Sequence, residues 1–199
     1  MNGSINNKIA VLAIGVFIMF QLNGCSVDSP RSYDSYSATD QRINISTRYP
    51  KGWIVKEDHG SKGSYSQSIF IEPRDKGKTD LTSAMMVVTV KPAEKLKFAT
   101  AKEYADDLIS KKKRAKDFVV VSRSTKTFLG RDAVDIVATY KMIDKLYSAD
   151  AKFFPAKEQI LVTKRNDKFY IIRYKTSEEK FQKFHKAFDY LVDNLKIRE

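Results

Sequence analysis

The chain is poor in the residues from which metal sites, disulfides and many catalytic sites are built. Its 199 residues include one cysteine and two histidines, so an intrachain disulfide and any site with several cysteine ligands are excluded. Its eight glycines form no phosphate-binding loop, and its serines form no nucleophile elbow. The sequence therefore predicts a protein that is not an enzyme and that carries no metal or other cofactor.

The charge balance is strongly basic. Lysine and arginine together number 36 against 24 aspartates and glutamates, which gives a formal net charge of +12. A basic surface favours polyanionic partners, namely nucleic acid, anionic lipid or acidic envelope polymers. The alternative is that the net charge mainly keeps the protein soluble. The N-terminus indicates export from the cytoplasm, and export would exclude nucleic acid as a partner.

The N-terminus carries an export signal. Residues 9–20 form an unbroken apolar run of 12 residues, whereas a transmembrane helix needs about 20 and a signal-peptide core takes roughly 7–15. Residues 22–25 (LNGC) follow and resemble the bacterial lipobox, in which the cysteine thiol accepts a diacylglyceryl group. The small residue Gly24 lets the signal peptidase cut immediately before Cys25. The sequence predicts a signal peptide over residues 1–24 and a lipid on Cys25, the alternative being a free thiol in an uncleaved anchor.

The predicted lipid determines the expected location. Two or more acyl chains give stable attachment to a bilayer, so Cys25 would hold the protein at a membrane that faces the periplasm or the exterior. Ser26 after the cysteine, in place of aspartate, is similar to lipoproteins sent to the outer membrane of Gram-negative bacteria. Residues 26–41 are rich in Ser and Asp and lack a helical or strand period, which predicts a flexible tether. One domain over residues 42–199 follows.

Hydrophobic periodicity predicts an antiparallel sheet in this domain. Residues 84–90 are apolar on both alternating faces, as in strands covered on both sides. Gly130 indicates a turn, Asn166 and Asp167 indicate a two-residue hairpin, and Pro155 is assigned to a long loop. The predicted strands lie around Ile43 and Ile45 and at residues 53–57, 69–72, 84–90, 119–128, 133–140, 159–165 and 168–175.

Two helices are predicted from capping boxes and apolar stripes. Thr100 with Glu103 opens the first helix, and Thr176 with Glu179 opens the second. The first stripe comprises Ala101, Tyr104, Ala105, Leu108 and Ile109; the second comprises Phe181, Phe184, Phe188, Leu191 and Leu195. The expected fold class is α+β, with an antiparallel sheet that carries a helix on each face.

Several stretches resemble the PsbP-like family, the extrinsic subunits of photosystem II and their bacterial relatives. Residues 49–53 (YPKGW) resemble its YP-x-GW turn, and residues 128–140 resemble its G-x-x-A…Y hairpin strand. Residues 168–174 are similar to its last strand and residues 181–195 to its terminal helix. The resemblance covers residues 42–199 and implies an α-β-α sandwich of non-catalytic character. A photosystem II role is implied only if the host is photosynthetic.

Two clusters are weighed as functional sites. Glu57, Asp58 and His59 could hold Zn²⁺ or Mn²⁺, although a solvated loop is favoured. His185 is interpreted as a helix-edge residue. A basic run either contacts anions or complements the C-terminal dipole of the first helix. Its members are Lys111, Lys112, Lys113 and Arg114.

The leading hypothesis is a lipid-anchored binding or assembly module with an unknown envelope protein partner. The alternative is a protein that binds anionic lipid or polymer.

Overall fold

A computed structural model of the protein describes residues 32–40, 42–60, 65–74, 83–144 and 149–198. The predicted signal peptide and the predicted lipid acceptor Cys25 lie outside the described residues. In the described ranges, neither helix combines the length and the hydrophobicity that crossing a bilayer requires.

Within these ranges, ten strands form two sheets in which every hydrogen-bonded pair of neighbours is antiparallel. The strands are β1 (Tyr33–Ser37), β2 (Ile45–Pro50), β3 (Trp53–Asp58), β4 (Gln67–Pro73), β5 (Met85–Pro92), β6 (Val119–Phe128), β7 (Arg131–Ile143), β8 (Phe153–Arg165), β9 (Lys168–Ser177) and β10 (Lys196–Ile197). The large sheet has the order β3-β4-β5-β9-β8-β7-β6, and the small sheet has the order β1-β2-β10. The helices are α1 (Ala101–Lys112) and α2 (Phe181–Asp193), and short 3-10 turns occupy Ala93–Lys95 and Glu178–Lys180.

The large sheet is covered on both faces, as the apolar pattern of residues 84–90 predicts. On one face, α2 and the small sheet bury a core that includes Met86, Val88 and Phe188. On the other face, α1 packs Tyr104 and Ala105 against residues of β7, β8 and β9. The predicted antiparallel α-β-α sandwich is therefore confirmed, and each predicted apolar stripe faces one of the two cores.

Helix α1 begins at the predicted capping box. The Thr100 hydroxyl oxygen accepts a hydrogen bond from the backbone N–H of Glu103 at 3.1 Å. The Glu103 carboxylate in turn accepts from the backbone N–H of Ala99 at 2.8 Å. Two amides at the start of the helix are thereby satisfied by side chains.

Replacing Thr100 by alanine is expected to lower the free energy of unfolding by about 1 kcal/mol, because a first-turn amide loses its acceptor. Urea unfolding followed by circular dichroism measures this change. The control is Ser110→Ala, an exposed position inside the same helix, where alanine is expected to be neutral or slightly stabilising. An unchanged midpoint for Thr100→Ala would show that the cap contributes nothing.

The predicted tether is wrong for its C-terminal part, because residues 33–37 form β1 of the small sheet. Tyr33 stacks on Tyr190 of α2 with ring centroids 3.7 Å apart, and the Tyr36 hydroxyl donates to Glu57. Ala38 is 4% exposed and belongs to the core. The sequence pattern missed this strand because β1 is a short, polar strand at the edge of its sheet, and its partners β2, Glu57 and Tyr190 lie elsewhere in the chain.

The second predicted capping box is also wrong. Thr176 lies in β9, which continues to Ser177, and the chain then makes a 3-10 turn. Helix α2 begins at Phe181 after Lys180, with no side-chain cap on its first turn. Pairing of residues 156 and 157 of β8 with Thr176 and Ser177 extends the strand through the predicted helix start.

Pro155 lies in β8 and not in the predicted loop. It pairs with Lys141 of β7, whereas the pairing of β8 with β9 ends at Ala156 and Ser177. At Pro155 the strand therefore has a neighbour on one side only. A proline is tolerated there because an edge position does not need a second ladder donor.

Candidate functional site

The structure separates the four cations of the predicted basic run. Lys111 pairs with Asp107 one turn earlier in α1, with 2.6 Å between Nζ and Oδ2. The Lys112 ammonium turns inward to Glu158, while Lys113 and Arg114 are exposed. Lys112 is therefore paired within the domain, and the four cations do not form one exposed patch.

Glu158 is a buried carboxylate that the sequence did not single out. It lies on β8 beneath α1, fully buried, and both its oxygens are occupied. Oε1 accepts from Arg173 Nε at 2.8 Å, and Oε2 accepts from Lys112 and from the Tyr140 hydroxyl at 3.2 Å. Burial alone would raise the pKa of the Glu158 carboxyl, but the charges of Arg173 and Lys112 outweigh burial and hold that pKa below its ordinary value. The cluster joins α1 to three strands.

His59 lies between the carboxylates of Asp40 and Glu57, whereas the sequence grouped it with Glu57 and Asp58. Its Nδ1 is 2.9 Å from Asp40 Oδ2, and its Nε2 is 3.7 Å from Glu57 Oε2. Asp58 instead accepts a hydrogen bond from the backbone N–H of Gly60 at 2.9 Å. Within the described ranges, no group of three or more His, Cys, Asp or Glu residues is arranged to hold a metal ion. The contacts of His59 join the segment after β1 to the end of β3.

His185 lies on α2, as predicted, and takes part in a polar network beneath that helix. Its Nδ1 is 3.0 Å from Asp189, and its Nε2 is 2.8 Å from the side-chain oxygen of Gln159. The Gln159 amide then donates to Asp135 at 2.9 Å. These bonds satisfy a buried glutamine on β8 and align α2 on the sheet.

A concave surface lies at the end of the large sheet where β8 turns into β9. Three clefts, of about 220, 150 and 280 Å³, adjoin there. The first two share Tyr65 and Pro92, and the first and third share Lys168. We name this surface the basic groove, because its lining includes six cations and one carboxylate, that of Asp167. The cations are Arg42, Lys91, Lys95, Arg165, Lys168 and Arg198.

Backbone contacts hold the walls of the basic groove together. Lys168 Nζ donates to the carbonyl oxygen of Arg42 at 3.0 Å, and the N–H of Arg198 donates to the carbonyl of Asn44 at 2.9 Å. The N–H of Ala93 donates to the carbonyl of Asp167 at 2.7 Å. Residues from segments far apart in the chain are therefore fixed side by side before any ligand arrives.

An aromatic ring lies in the middle of the groove. Tyr65 is 57% exposed, and Lys95 Nζ lies 4.9 Å from the centroid of its ring. Among the described residues, Lys91, Lys168 and Arg198 form no ion pair with a carboxylate. The groove thus combines an exposed aromatic face with cations that are not neutralised by the protein.

Asp40 fixes one wall of the groove from behind. It binds Arg42 through its side chain and through the backbone N–H, the latter at 2.8 Å. The Arg42 guanidinium lowers the pKa of the Asp40 carboxyl to about 2, with smaller contributions from the backbone N–H and from His59. Asp40 therefore stays ionised and keeps the loop before β2 in place.

The basic groove lies away from the point where the N-terminal segment enters the domain. The N–H of Lys51 donates to the carbonyl of Ser32 at 3.0 Å, so Ser32 lies at the C-terminal end of β2. Asn44, which lines the groove, precedes Ile45 at the other end of that strand. A six-residue strand is about 20 Å long, and this distance separates the two ends of the small sheet.

The seven-stranded antiparallel sheet with a helix on each face is the PsbP-like fold. Its similarity to cyanobacterial PsbP from Synechocystis sp. PCC 6803 has a TM-score of 0.56 at 13% identity, covering 83% of this chain and 92% of that one. LpqN of Mycobacterium tuberculosis, described as involved in cell envelope biogenesis, gives 0.50 at 10% identity over 84% and 91%. The Ran-binding protein Mog1p of Saccharomyces cerevisiae gives 0.53 at 9% identity over 83% and 95%.

These similarities confirm the fold that the motifs of residues 49–53 and 128–140 predicted. No family model matches the chain, and no curated protein matches it in sequence. The descriptions of the three similar structures name a Ran-binding protein and a protein of envelope biogenesis, and none of them names a catalytic activity.

Proposed function

We propose that the protein is a lipid-anchored, non-catalytic binding or assembly module of the cell envelope, held at a membrane through Cys25. Residues 22–25 supply the anchor signal, and the PsbP-like domain supplies the binding surface. LpqN, which shares the fold, is described as involved in cell envelope biogenesis. The observation that carries the proposal is a preorganised basic groove in a domain whose first strand begins eight residues after Cys25.

The position of β1 shortens the predicted tether. Only residues 26–32 separate Cys25 from Tyr33, where β1 begins. At about 3.5 Å per residue this stretch spans at most about 28 Å. The end of the domain that contains Ser32 would therefore stay close to the headgroups. The basic groove, about 20 Å farther along the small sheet, would point away from them.

The anchor is tested by replacing Cys25 with serine in the producing cells. We expect the wild-type protein to incorporate palmitate, to begin at residue 25 by mass spectrometry and to sediment with membranes. The Cys25→Ser variant is expected to lose the label and its mature N-terminus, because a hydroxyl does not replace the thiol as lipid acceptor. Fractionation of inner and outer membranes then tests the sorting that Ser26 predicts.

A matched control separates the lipobox from the mere presence of a thiol. Cys25→Ser combined with Ser29→Cys keeps one cysteine, but places it outside residues 22–25. We expect this double variant to remain unlabelled. A wild-type protein with an intact N-terminus and unmodified sulfur would refute the anchor. In-cell crosslinking that captures no envelope protein under several conditions would contradict the assembly role.

A further inference from the structure

We propose that the basic groove binds an extended polyanionic envelope polymer, one whose phosphate or carboxylate groups repeat along a linear chain. The inference rests on the proposed function, because export supplies such polymers and removes nucleic acid. It moves the anion site from the C-terminus of α1 to the end of the large sheet where β8 turns into β9, which the sequence did not indicate.

The charge of the groove supports an anionic ligand. Six cations line the three clefts against the single carboxylate of Asp167. Arg42 is paired with Asp40, and Lys95 lies 3.6 Å from Glu94, so part of this charge is balanced by the protein. The cations that form no ion pair in the described part of the chain, Lys91, Lys168 and Arg198, are distributed over all three clefts.

The shape of the groove supports an extended ligand. The three clefts follow one another around the end of β5 and the β8–β9 turn, and neighbouring clefts share lining residues. Each has room for several water molecules of about 30 Å³, and so for one anionic group with its immediate surroundings. A chain that carries regularly spaced anions can place one group in each cleft. Tyr65 offers an exposed ring between two clefts for the backbone of such a chain.

A membrane surface fits the groove less well than a polymer does. The cations line concave clefts, whereas cations that bind headgroups of a flat bilayer need to project from the surface. The short distance from Cys25 to β1 also turns the Ser32 end of the domain to the anchoring membrane. A polymer that lies beyond the headgroups can therefore reach the groove while the Ser32 end of the domain faces the membrane.

The test measures binding of the mature full-length protein in nonionic detergent to two probes, linear polyphosphate and polygalacturonate. The variant Lys91→Gln/Lys95→Gln/Lys168→Gln removes cations from all three clefts. Lys91 and Lys95 line the second cleft, and Lys168 lines both the first and the third. We expect its affinity to fall about 10- to 100-fold, since each exposed ionic contact contributes modestly. The magnitude of the slope of log affinity against log salt should decrease by about 2–3, at roughly 0.7–0.9 for each of the three lost contacts.

The matched control is Lys111→Gln/Lys113→Gln/Arg114→Gln, which removes the same number of charges at the C-terminal end of α1. We expect its affinity to change less than twofold. Equal losses in the two triple variants would overturn the proposal, because binding would then follow net charge alone. The single variant Lys95→Gln, at an exposed position, is expected to weaken binding severalfold without affecting the fold.

Two further measurements distinguish other ligands. Inorganic phosphate that binds as tightly as polyphosphate would refute an extended ligand. Tight binding to phosphatidylglycerol vesicles by a Cys25→Ser protein produced from residue 25 onward, without the apolar run of residues 9–20, would assign the groove to a lipid surface if neither polymer binds, and would overturn the proposal. Polymer binding by a protein whose Cys25 proves unmodified would support the groove chemistry while refuting the anchor, so the two proposals fail separately.

Discussion

Replacing Glu158 by glutamine is expected to lower the free energy of unfolding by about 3 kcal/mol. The substitution keeps the shape of the side chain but leaves Lys112 and Arg173 facing each other without a carboxylate. Breaking a buried ion pair from one side typically costs about 3–5 kcal/mol, because the remaining charge is not compensated. A loss at the lower end of this range is expected, because Lys112 and Arg173 keep part of their side chains exposed and can reach water.

Urea unfolding of wild type and Glu158→Gln at neutral pH measures this loss. The control is Asp106→Asn, which also removes a carboxylate that two cations contact, Arg123 and Lys102. The Asp106 side chain is 43% exposed, so we expect its replacement to cost less than about 1 kcal/mol. Equal losses at the two positions would show that burial of Glu158 has no energetic weight.

The stability difference between wild type and Glu158→Gln is expected to depend on pH. The pKa of Glu158 is below its ordinary value in the folded state, so its ionised form stabilises the fold above the unfolded pKa of about 4.3. That contribution is lost as the pH falls through the folded pKa. The difference in stability between wild type and Glu158→Gln should therefore be largest near neutral pH and shrink in acid. A difference that grew in acid would contradict the direction of the pKa change.

Most of the fold could be predicted because its signals are local. Gly130 has φ of 70° at the β6–β7 turn, and Asn166 has φ of 52° at the β8–β9 turn. Such positive φ values suit Gly and Asn, which explains why these turns can be recognised from sequence. The apolar stripes of α1 and α2 are equally local, since residues three and four apart share a helix face.

The errors lie where tertiary contacts override local pattern. The Ser-rich segment of β1 has no apolar alternation, and its strand depends on Tyr190 and Glu57, which are remote in sequence. Likewise, Thr176 satisfies the local rule for a helix cap, but strand pairing with β8 extends β9 through it. Local rules cannot foresee these outcomes, because the competing partner lies elsewhere in the chain.

The basic groove could not be found from the sequence for the same reason. Its six cations come from four places in the chain, at residue 42, residues 91–95, residues 165–168 and residue 198. None of these places is a charge run. The one conspicuous run, residues 111–114, proves to be divided between Asp107, Glu158 and solvent. Clustering in sequence and clustering in space are thus different properties in this protein.

Replacing Phe188 by alanine is expected to have the largest effect on stability, a loss of about 3–5 kcal/mol in the free energy of unfolding. Phe188 is 1% exposed and stacks on Tyr174 of β9 with ring centroids 5.5 Å apart. The truncation removes a buried ring and leaves a cavity that the sheet beneath α2 cannot close. Urea unfolding gives the loss directly.

Phe184→Ala is the matched control, because it removes the same atoms from the same helix one turn earlier. Phe184 is only partly buried, and its ring meets Trp53 edge-on with centroids 5.7 Å apart. We expect a loss of about 1 kcal/mol, mainly from that aromatic contact. Helix propensity changes equally in both variants, so the difference between them isolates burial beneath α2. Equal losses in the two variants would contradict the packing of Phe188 between α2 and the large sheet.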